Sequence, residues 1–309
     1  MSENLDPLAN VFSERMPKDI NDFRNFLEEA IESTGANKNL PEIGNFLTEV
    51  EISKKEDHSL TTDIHIPKGE GPFPLLVYFH GGGWVIGDLE THDPICRWLS
   101  VRAQCAVIAV DYRMGPEQKF PAAVDDCLAA TEWVMSTGNL ANVDPKRVAV
   151  GGDSAGGNLA AVVAHERRNL NKAPLIYQLL IYPATDLTRA EESQSELAEG
   201  YRLTGILMDW FIDHYLGKAQ DRRDPKASPL FYENFSNLPP ALIITAGFDP
   251  LRDEGLRYKE KLIAAGVDAK YLCYDGMIHG FMSMGGWLDK GKEALDLAAD
   301  CLVSAYAKD

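Results

Sequence analysis

Four short segments of this chain carry side chains that could transfer an acyl group. In Val148-Ala-Val-Gly-Gly-Asp-Ser-Ala-Gly-Gly157, an apolar β-branched run meets Gly152-Asp153-Ser154-Ala155-Gly156, and a small-residue helical pattern follows from Asn158. Strand, tight turn and helix in that order expose the central serine in an unfavourable backbone conformation. The residues two places either side of it must lack bulk. Gly152 and Gly156 stand at those places. The same pattern also fits a plain glycine-rich turn that packs or takes a phosphate, so the remaining segments have to decide.

Acyl transfer to a serine needs a nucleophile, a base, an acid that orients the base, and donors for the oxyanion. Ser154 is the candidate nucleophile. Ile243-Ile-Thr-Ala-Gly-Phe-Asp249-Pro ends a strand-like run and opens a helix, which puts a carboxylate on the C-terminal rim of a sheet. Tyr271-Leu-Cys-Tyr-Asp-Gly-Met-Ile-His279-Gly-Phe ends the next run and brings an imidazole to the same rim. In this reading His279 takes and returns the serine proton, and Asp249 holds the tautomer. Each residue also has a plainer role. Asp249 before Pro250 fits a helix N-cap, and His279 could be an ordinary loop histidine. Asp253 and Glu254 are rival acids that fall inside the helix, and Asp275 sits where a turn aspartate is expected. His58, His65, His92, His165 and His214 are taken as solvated or structural.

The fourth segment, His80-Gly81-Gly82-Gly83-Trp84, follows the apolar run Leu75–Phe79. Its glycines let main-chain amides face a developing anion without a Cβ in the way. The amide of Ala155 adds another donor. A phosphate cradle would want G-x-x-x-x-G-K-[ST], or G-x-G-x-x-G before a helix, and neither is present. No His/Cys/Asp cluster has metal-ligand spacing, so neither cofactor nor metal is expected.

These residues need a scaffold. Strand-like runs fall at Phe73–Phe79, Ala106–Asp111, Arg147–Val150, Tyr177–Tyr182, Ala241–Ala246 and Lys270–Tyr274, after a hairpin-like opening of Leu47–Ser53 and Leu60–Pro67. Helical patterns fill the gaps, notably 121–136, 154–169, 251–265 and 288–306. Such alternation predicts an α/β fold, a mostly parallel sheet with helices on both faces. Two segments break the rhythm. Residues 1–45 carry Phe23, Phe26, Leu27 and Ile31 at helical spacing, and residues 187–218 hold a polar stretch followed by an amphipathic one. An insertion after a strand's C-terminal end lies beside the site in open α/β sheets. Residues 1–45 and 187–218 are therefore expected to form a helical cap over a catalytic domain of residues 46–309.

At 309 residues and 45% apolar, one large core is affordable. The net charge of −17 repels nucleic-acid backbones and anionic lipid surfaces. A small neutral substrate is the expected partner. No apolar run is long enough for a membrane span, and the N-terminal residues carry no secretory pattern. Five dispersed cysteines, an odd number, fit a reducing compartment, so the cytoplasm is expected.

Taken together, His80-Gly-Gly-Gly-Trp, Gly152-Asp-Ser-Ala-Gly-Gly-Asn-Leu-Ala, Asp249-Pro-Leu-Arg-Asp-Glu-Gly and His279-Gly-Phe resemble the bacterial hormone-sensitive-lipase family of α/β-hydrolase esterases. The order Ser, Asp, His is the one α/β-hydrolases use. Asp111-Tyr-Arg-Met-Gly-Pro-Glu-Gln-Lys-Phe-Pro-Ala-Ala is similar to a further motif of that family, departing from it at Met114-Gly115 and Gln118. The match spans roughly residues 45–305. The resemblance implies Ser154, Asp249 and His279 as triad, and the amides of Gly82, Gly83 and Ala155 as oxyanion donors. It also implies an eight-stranded sheet with an antiparallel second strand, a helical cap, a homodimer through the last strand, and cofactor-free hydrolysis of short- to medium-chain acyl esters.

His80 and Tyr112 are candidates to brace the glycine loop. Trp84, Asp153, Leu203, Met208, Phe211 and Phe281 are candidates to line the substrate pocket. An acyl chain beyond roughly ten carbons should react poorly if the cap closes. Two alternatives stay open: an amidase or deacetylase acting on small N-acyl compounds, and a ligand receptor that keeps the fold without the reaction.

Overall fold

The computed structural model describes residues 40–54, 58–137, 140–217, 222–284, 286 and 288–308. The helix expected from Phe23, Phe26, Leu27 and Ile31 lies outside the described residues. Among the described residues, eight strands form one sheet: β1 (Asn45–Lys54), β2 (Ser59–Ile66), β3 (Phe73–Phe79), β4 (Ala106–Asp111), β5 (Val143–Asp153), β6 (Tyr177–Ile181), β7 (Ala241–Phe248) and β8 (Ala269–Ile278). Their order across the sheet is β1-β2-β4-β3-β5-β6-β7-β8. β2 runs antiparallel to β1 and to β4, and every pairing from β4 onward is parallel. This is the expected mostly parallel α/β sheet, with its antiparallel second strand.

Helices α1 (Leu89–Ala103), α2 (Ala122–Thr137), α3 (Ala155–Asn169), α6 (Arg252–Ala264) and α7 (Asp289–Tyr306) join or follow the strands, and α4 (Glu192–Glu196) and α5 (Gly205–Tyr215) lie between β6 and β7. The helical pattern announces α1 least clearly, because Pro94 lies inside it and proline removes a backbone donor. A capping box starts it instead: the Asp88 carboxylate accepts from the Thr91 amide, and the Thr91 hydroxyl oxygen accepts from the Asp88 amide.

Alternation along the buried strands sorts side chains into two layers. On β3, Leu75, Val77 and Phe79 join the core under α2, α3 and α6. Leu76 and Tyr78 face the core under α1 and α7. All seven residues of β3 are buried, which is why a central parallel strand reads as an unbroken apolar run. Among the described residues no helix is long and apolar enough to cross a membrane. All five cysteines are free thiols, three of them buried.

The parallel strands deliver their C-terminal ends to one rim. Ser154 follows β5, Asp249 follows β7 and His279 follows β8, while His80 and the glycines follow β3.

Candidate active site

Ser154 sits between β5 and α3 with φ 55° and ψ −117°, a region a non-glycine residue occupies only under constraint. The constraint is visible. Its amide donates to the Ile181 carbonyl at 2.8 Å, and its carbonyl accepts from the Asn158 amide at 3.0 Å. A Cβ at Gly156 would overlap the carbonyl oxygen of Phe79, which belongs to the neighbouring strand's backbone. Gly156→Ala is therefore expected to cost about 2–3 kcal/mol, as overpacking does. It should also displace the serine, read as a lowered urea midpoint together with lost ester turnover; an unchanged midpoint would contradict the crowding.

The imidazole of His279 links two groups far apart in sequence. Its Nε2 lies 2.9 Å from Ser154 Oγ, 125 residues away, and its Nδ1 lies 2.8 Å from Asp249 Oδ2. A carboxylate accepts only, so Nδ1 carries the hydrogen and Nε2 is left to accept from the serine hydroxyl. The Asp249 side chain is fully buried, and that of His279 is 12% exposed. Asp249 Oδ1 accepts from the Leu251 amide at 2.9 Å. The helix that follows is capped at Leu251, with no side-chain cap, so Asp249 is not its N-cap. Oδ1 closes a turn on the Leu251 amide while Oδ2 orients His279. The rival acids bond elsewhere. Asp253 pairs with Arg252 and accepts from the Ser193 amide. Glu254 is buried and accepts from the Thr185 and Asp186 amides and from the Gln194 side chain. Burial pushes its carboxyl well above the ordinary range despite those donors. Asp275 is exposed on β8.

A hydroxyl, an imidazole and a buried carboxylate in one hydrogen-bonded line form the arrangement that turns serine into a nucleophile. A model of the alpha/beta hydrolase fold family matches residues 76–283. The chain belongs to that family. It is 46% identical over 226 residues to the carboxylic ester hydrolase LipN of Mycobacterium tuberculosis, covering 71% of this chain and 60% of LipN. To the ethyl acetate hydrolase of Pseudomonas putida it is 36% identical over 262 residues, covering 83% and 82% of the two chains. Among solved structures, a thermostable esterase from Pseudomonas putida ECU1011 matches with a TM-score of 0.92 at 34% identity, covering all of both chains. An esterase from Pyrobaculum calidifontis matches with a TM-score of 0.91 at 39% identity, covering 98% of this chain and all of that one.

In this α/β-hydrolase the glycine loop lies beside the serine turn. Gly82 has φ 119° and Gly83 φ 59°, and the Gly82 carbonyl accepts from the Val85 and Ile86 amides at 3.1 and 3.0 Å. A Cβ at Gly82 would strike the Ile86 carbonyl oxygen, so this turn is open to glycine alone. Ala155 is the first residue of α3, where amides lack an intrahelical acceptor. His80 and Tyr112 brace the loop. The Tyr112 hydroxyl donates to the His80 carbonyl at 2.7 Å, the two rings stack at 4.4 Å, and His80 Nδ1 reaches the Gly81 carbonyl at 2.7 Å. Burial, helped by the neighbouring His92, pulls His80 down to about 4. It is therefore neutral, and its Nδ1–H donates to Gly81.

The residues expected to line a pocket divide. Phe211 of α5 lies against Gly83, where a Cβ would meet its ring. Leu203 and Met208 are buried in the same layer. Trp84 is taken up in packing, its ring stacked on Tyr215 at 4.4 Å and 6°. Phe281 is fully buried against Tyr182 and Tyr274. Asp153 is not placed as a pocket side chain either: its carboxylate accepts from Tyr78 Oη at 2.8 Å and from the Gly81 amide at 3.0 Å. Sequence reading missed Tyr78 and Tyr182. The Tyr182 ring lies 4.8 Å from that of His279, and its only signal was a position at the end of an apolar run, before Pro183.

Proposed function

We propose that the chain is a carboxylesterase that works through an acyl-enzyme on Ser154. Its family relatives are ester hydrolases, and small esters are its substrates. The hydrogen-bonded line from Ser154 through His279 to Asp249 carries the residue-level reading. Ser154 Oγ attacks the ester carbonyl carbon as its proton passes to His279 Nε2. The negative oxygen of the tetrahedral intermediate is held by the amides of Gly82, Gly83 and Ala155. Collapse expels the alcohol, which leaves with the proton from His279. Water then enters by the same base, and the carboxylic acid departs as Ser154 recovers its hydrogen. Asp249 stabilises the imidazolium in both halves. No cofactor is needed for any of these steps.

Residues 187–218, which include α4 and α5, act in this reading as a cap over the rim, supported by the docking of α5 on the glycine loop. A closed pocket would disfavour charged acyl groups, because stripping water from an ion is costly. β8 stands at an edge of the sheet, where a second copy would extend it in a homodimer.

The test is titration with p-nitrophenyl diethyl phosphate. One p-nitrophenol should be released per chain, with the added mass on the peptide containing Ser154. Labelling elsewhere, or none, would overturn the assignment, and none is also what a non-catalytic receptor would give. Comparing an ester with the matching anilide separates an esterase from an amidase.

The contact of Phe211 with Gly83 gives a second expectation. Phe211→Ala should raise kcat/KM for octanoate relative to butyrate about tenfold, because removing the ring adds apolar volume beside the acyl carbonyl and pockets discriminate by about 1–3 kcal/mol per methylene. An unchanged chain-length profile across p-nitrophenyl esters would place the ring outside the acyl path.

A further inference from the structure

We propose that His92 and Asp153 form a second histidine–aspartate couple that positions the oxyanion loop, with the proton on His92 deciding how firmly the Gly81 amide is held. The proposal rests on the reading of Gly82 and Gly83 as oxyanion donors. It starts from the placement of Asp153 directly before Ser154, with partners on β3 and α1. Its Oδ1 takes the Gly81 N–H at 3.0 Å and the Tyr78 hydroxyl at 2.8 Å, and its Oδ2 faces His92 Nε2 at 3.4 Å. The two side chains are 7% and 12% exposed. Gly81 lies so close that a Cβ there would overlap Asp153 Oδ2.

The same Gly81 nitrogen is 3.2 Å from His92 Nε2, so two acceptors compete for one hydrogen. A protonated Nε2 donates to Asp153 and cannot accept, and the Gly81 N–H then belongs to Asp153 alone. A bare Nε2 draws that N–H toward α1. His92 is held from its other side: Nδ1 lies 2.9 Å from Thr91 Oγ1 and 3.2 Å from the Asp88 carbonyl. Any shift therefore falls on Gly81, one residue before the first oxyanion amide.

The titratable groups around the couple come from every neighbouring element. Tyr78 and His80 are on or just past β3, and Tyr112 follows β4. Asp88 and Cys96 belong to α1 and its cap, Tyr182 follows β6, and Arg202 precedes α5. Burial opposes a charge on His92, but the Asp153 carboxylate outweighs it and raises His92 above its ordinary value. Asp153 is likewise kept below the usual carboxylate range, against burial, by His92 and Tyr78. The ion pair is thus intact below the unfolded histidine value and is lost as pH rises through the raised one. Its signature is an alkaline limb in kcat.

The experiment measures kcat and KM for p-nitrophenyl butyrate across pH in the wild type and in H92Q, H92A and D153N. Melting temperature and the rate of organophosphate labelling of Ser154 are measured alongside. H92A removes the competing acceptor but also the donor that anchors Asp153 Oδ2. Through loss of that anchor it is expected to lower kcat about tenfold at every pH with little change in KM, less than the loss of a whole oxyanion donor. In H92Q the amide donates to Asp153 at every pH, so the alkaline limb should vanish. In D153N, where the carboxylate no longer favours the imidazolium, the limb should move to lower pH. Should H92A fail to fold, H92Q and D153N decide. An alkaline limb that stays where it is in both variants overturns the proposal, as does a kcat unchanged in a folded H92A. Organophosphate labelling separates the two readings. Slower labelling at full stoichiometry in the variants supports the couple, whereas an unlabelled wild type condemns the nucleophile assignment itself.

Discussion

Replacing Ser154 with alanine should lower kcat on a short p-nitrophenyl ester by about 10⁶-fold, the size of loss seen when a triad serine is removed elsewhere. The physical reason is that no other group can form the acyl bond. His279 Nε2, 2.9 Å from Ser154 Oγ, would have only water to activate. Residual turnover would come from substrate binding and the oxyanion amides, which still stabilise charge when water attacks. The fold should survive, because Ala keeps the Cβ and the Ile181 and Asn158 backbone contacts of this position. The check is a progress curve at high enzyme concentration alongside a thermal melt. Turnover within tenfold of wild type in a protein that melts normally would remove Ser154 from the mechanism.

Asp249→Asn should cost about 10⁴-fold in kcat with KM nearly unchanged, since it preserves shape and inverts the hydrogen-bond polarity at His279. Asn Oδ1 can still accept from the Leu251 amide, as Asp249 Oδ1 does at 2.9 Å, so the turn leading into α6 is kept. The amide nitrogen would then face His279 Nδ1 and force the hydrogen onto Nε2, where it can no longer accept from Ser154. Asp249→Ala is the less informative change, because it also strips the Leu251 amide of its acceptor in a fully buried place. Steady-state kinetics with a melting curve would test this. Loss of stability with kcat preserved would leave Asp249 as a turn residue before α6 and nothing more.

Much of the scaffold was legible because buried parallel strands must be apolar on both faces. The runs at Phe73–Phe79, Ala106–Asp111 and Ala241–Ala246 correspond to β3, β4 and β7. Two strand ends were not legible. β5 begins at Val143, well before the run at Arg147, because Val143 pairs with Phe73 across a register shift, and Asp144-Pro145 has the composition of a turn. β8 continues to Ile278 through Asp275-Gly276, where Ile278 pairs with Phe248 beyond another shift. Local composition favours a turn there. Only the neighbouring strand holds the segment extended, and that extension carries His279 to the rim.

The amino-acid sequence by itself determined which chemistry was available: one serine between glycines, one imidazole and one carboxylate at strand ends, and glycines after β3. Residue type and local spacing suffice for that, since a tight turn or an amphipathic period is written in adjacent positions. Tertiary structure alone decided who meets whom. Ser154 and His279 come together through the side-by-side order of β5, β6, β7 and β8, which no local pattern encodes. The same is true of Trp84 stacking on Tyr215, Phe211 lying on Gly83, and Asp153 holding Gly81 beside His92. Those partners lie on different elements of the chain, and their contacts follow from the register and packing of whole strands and helices.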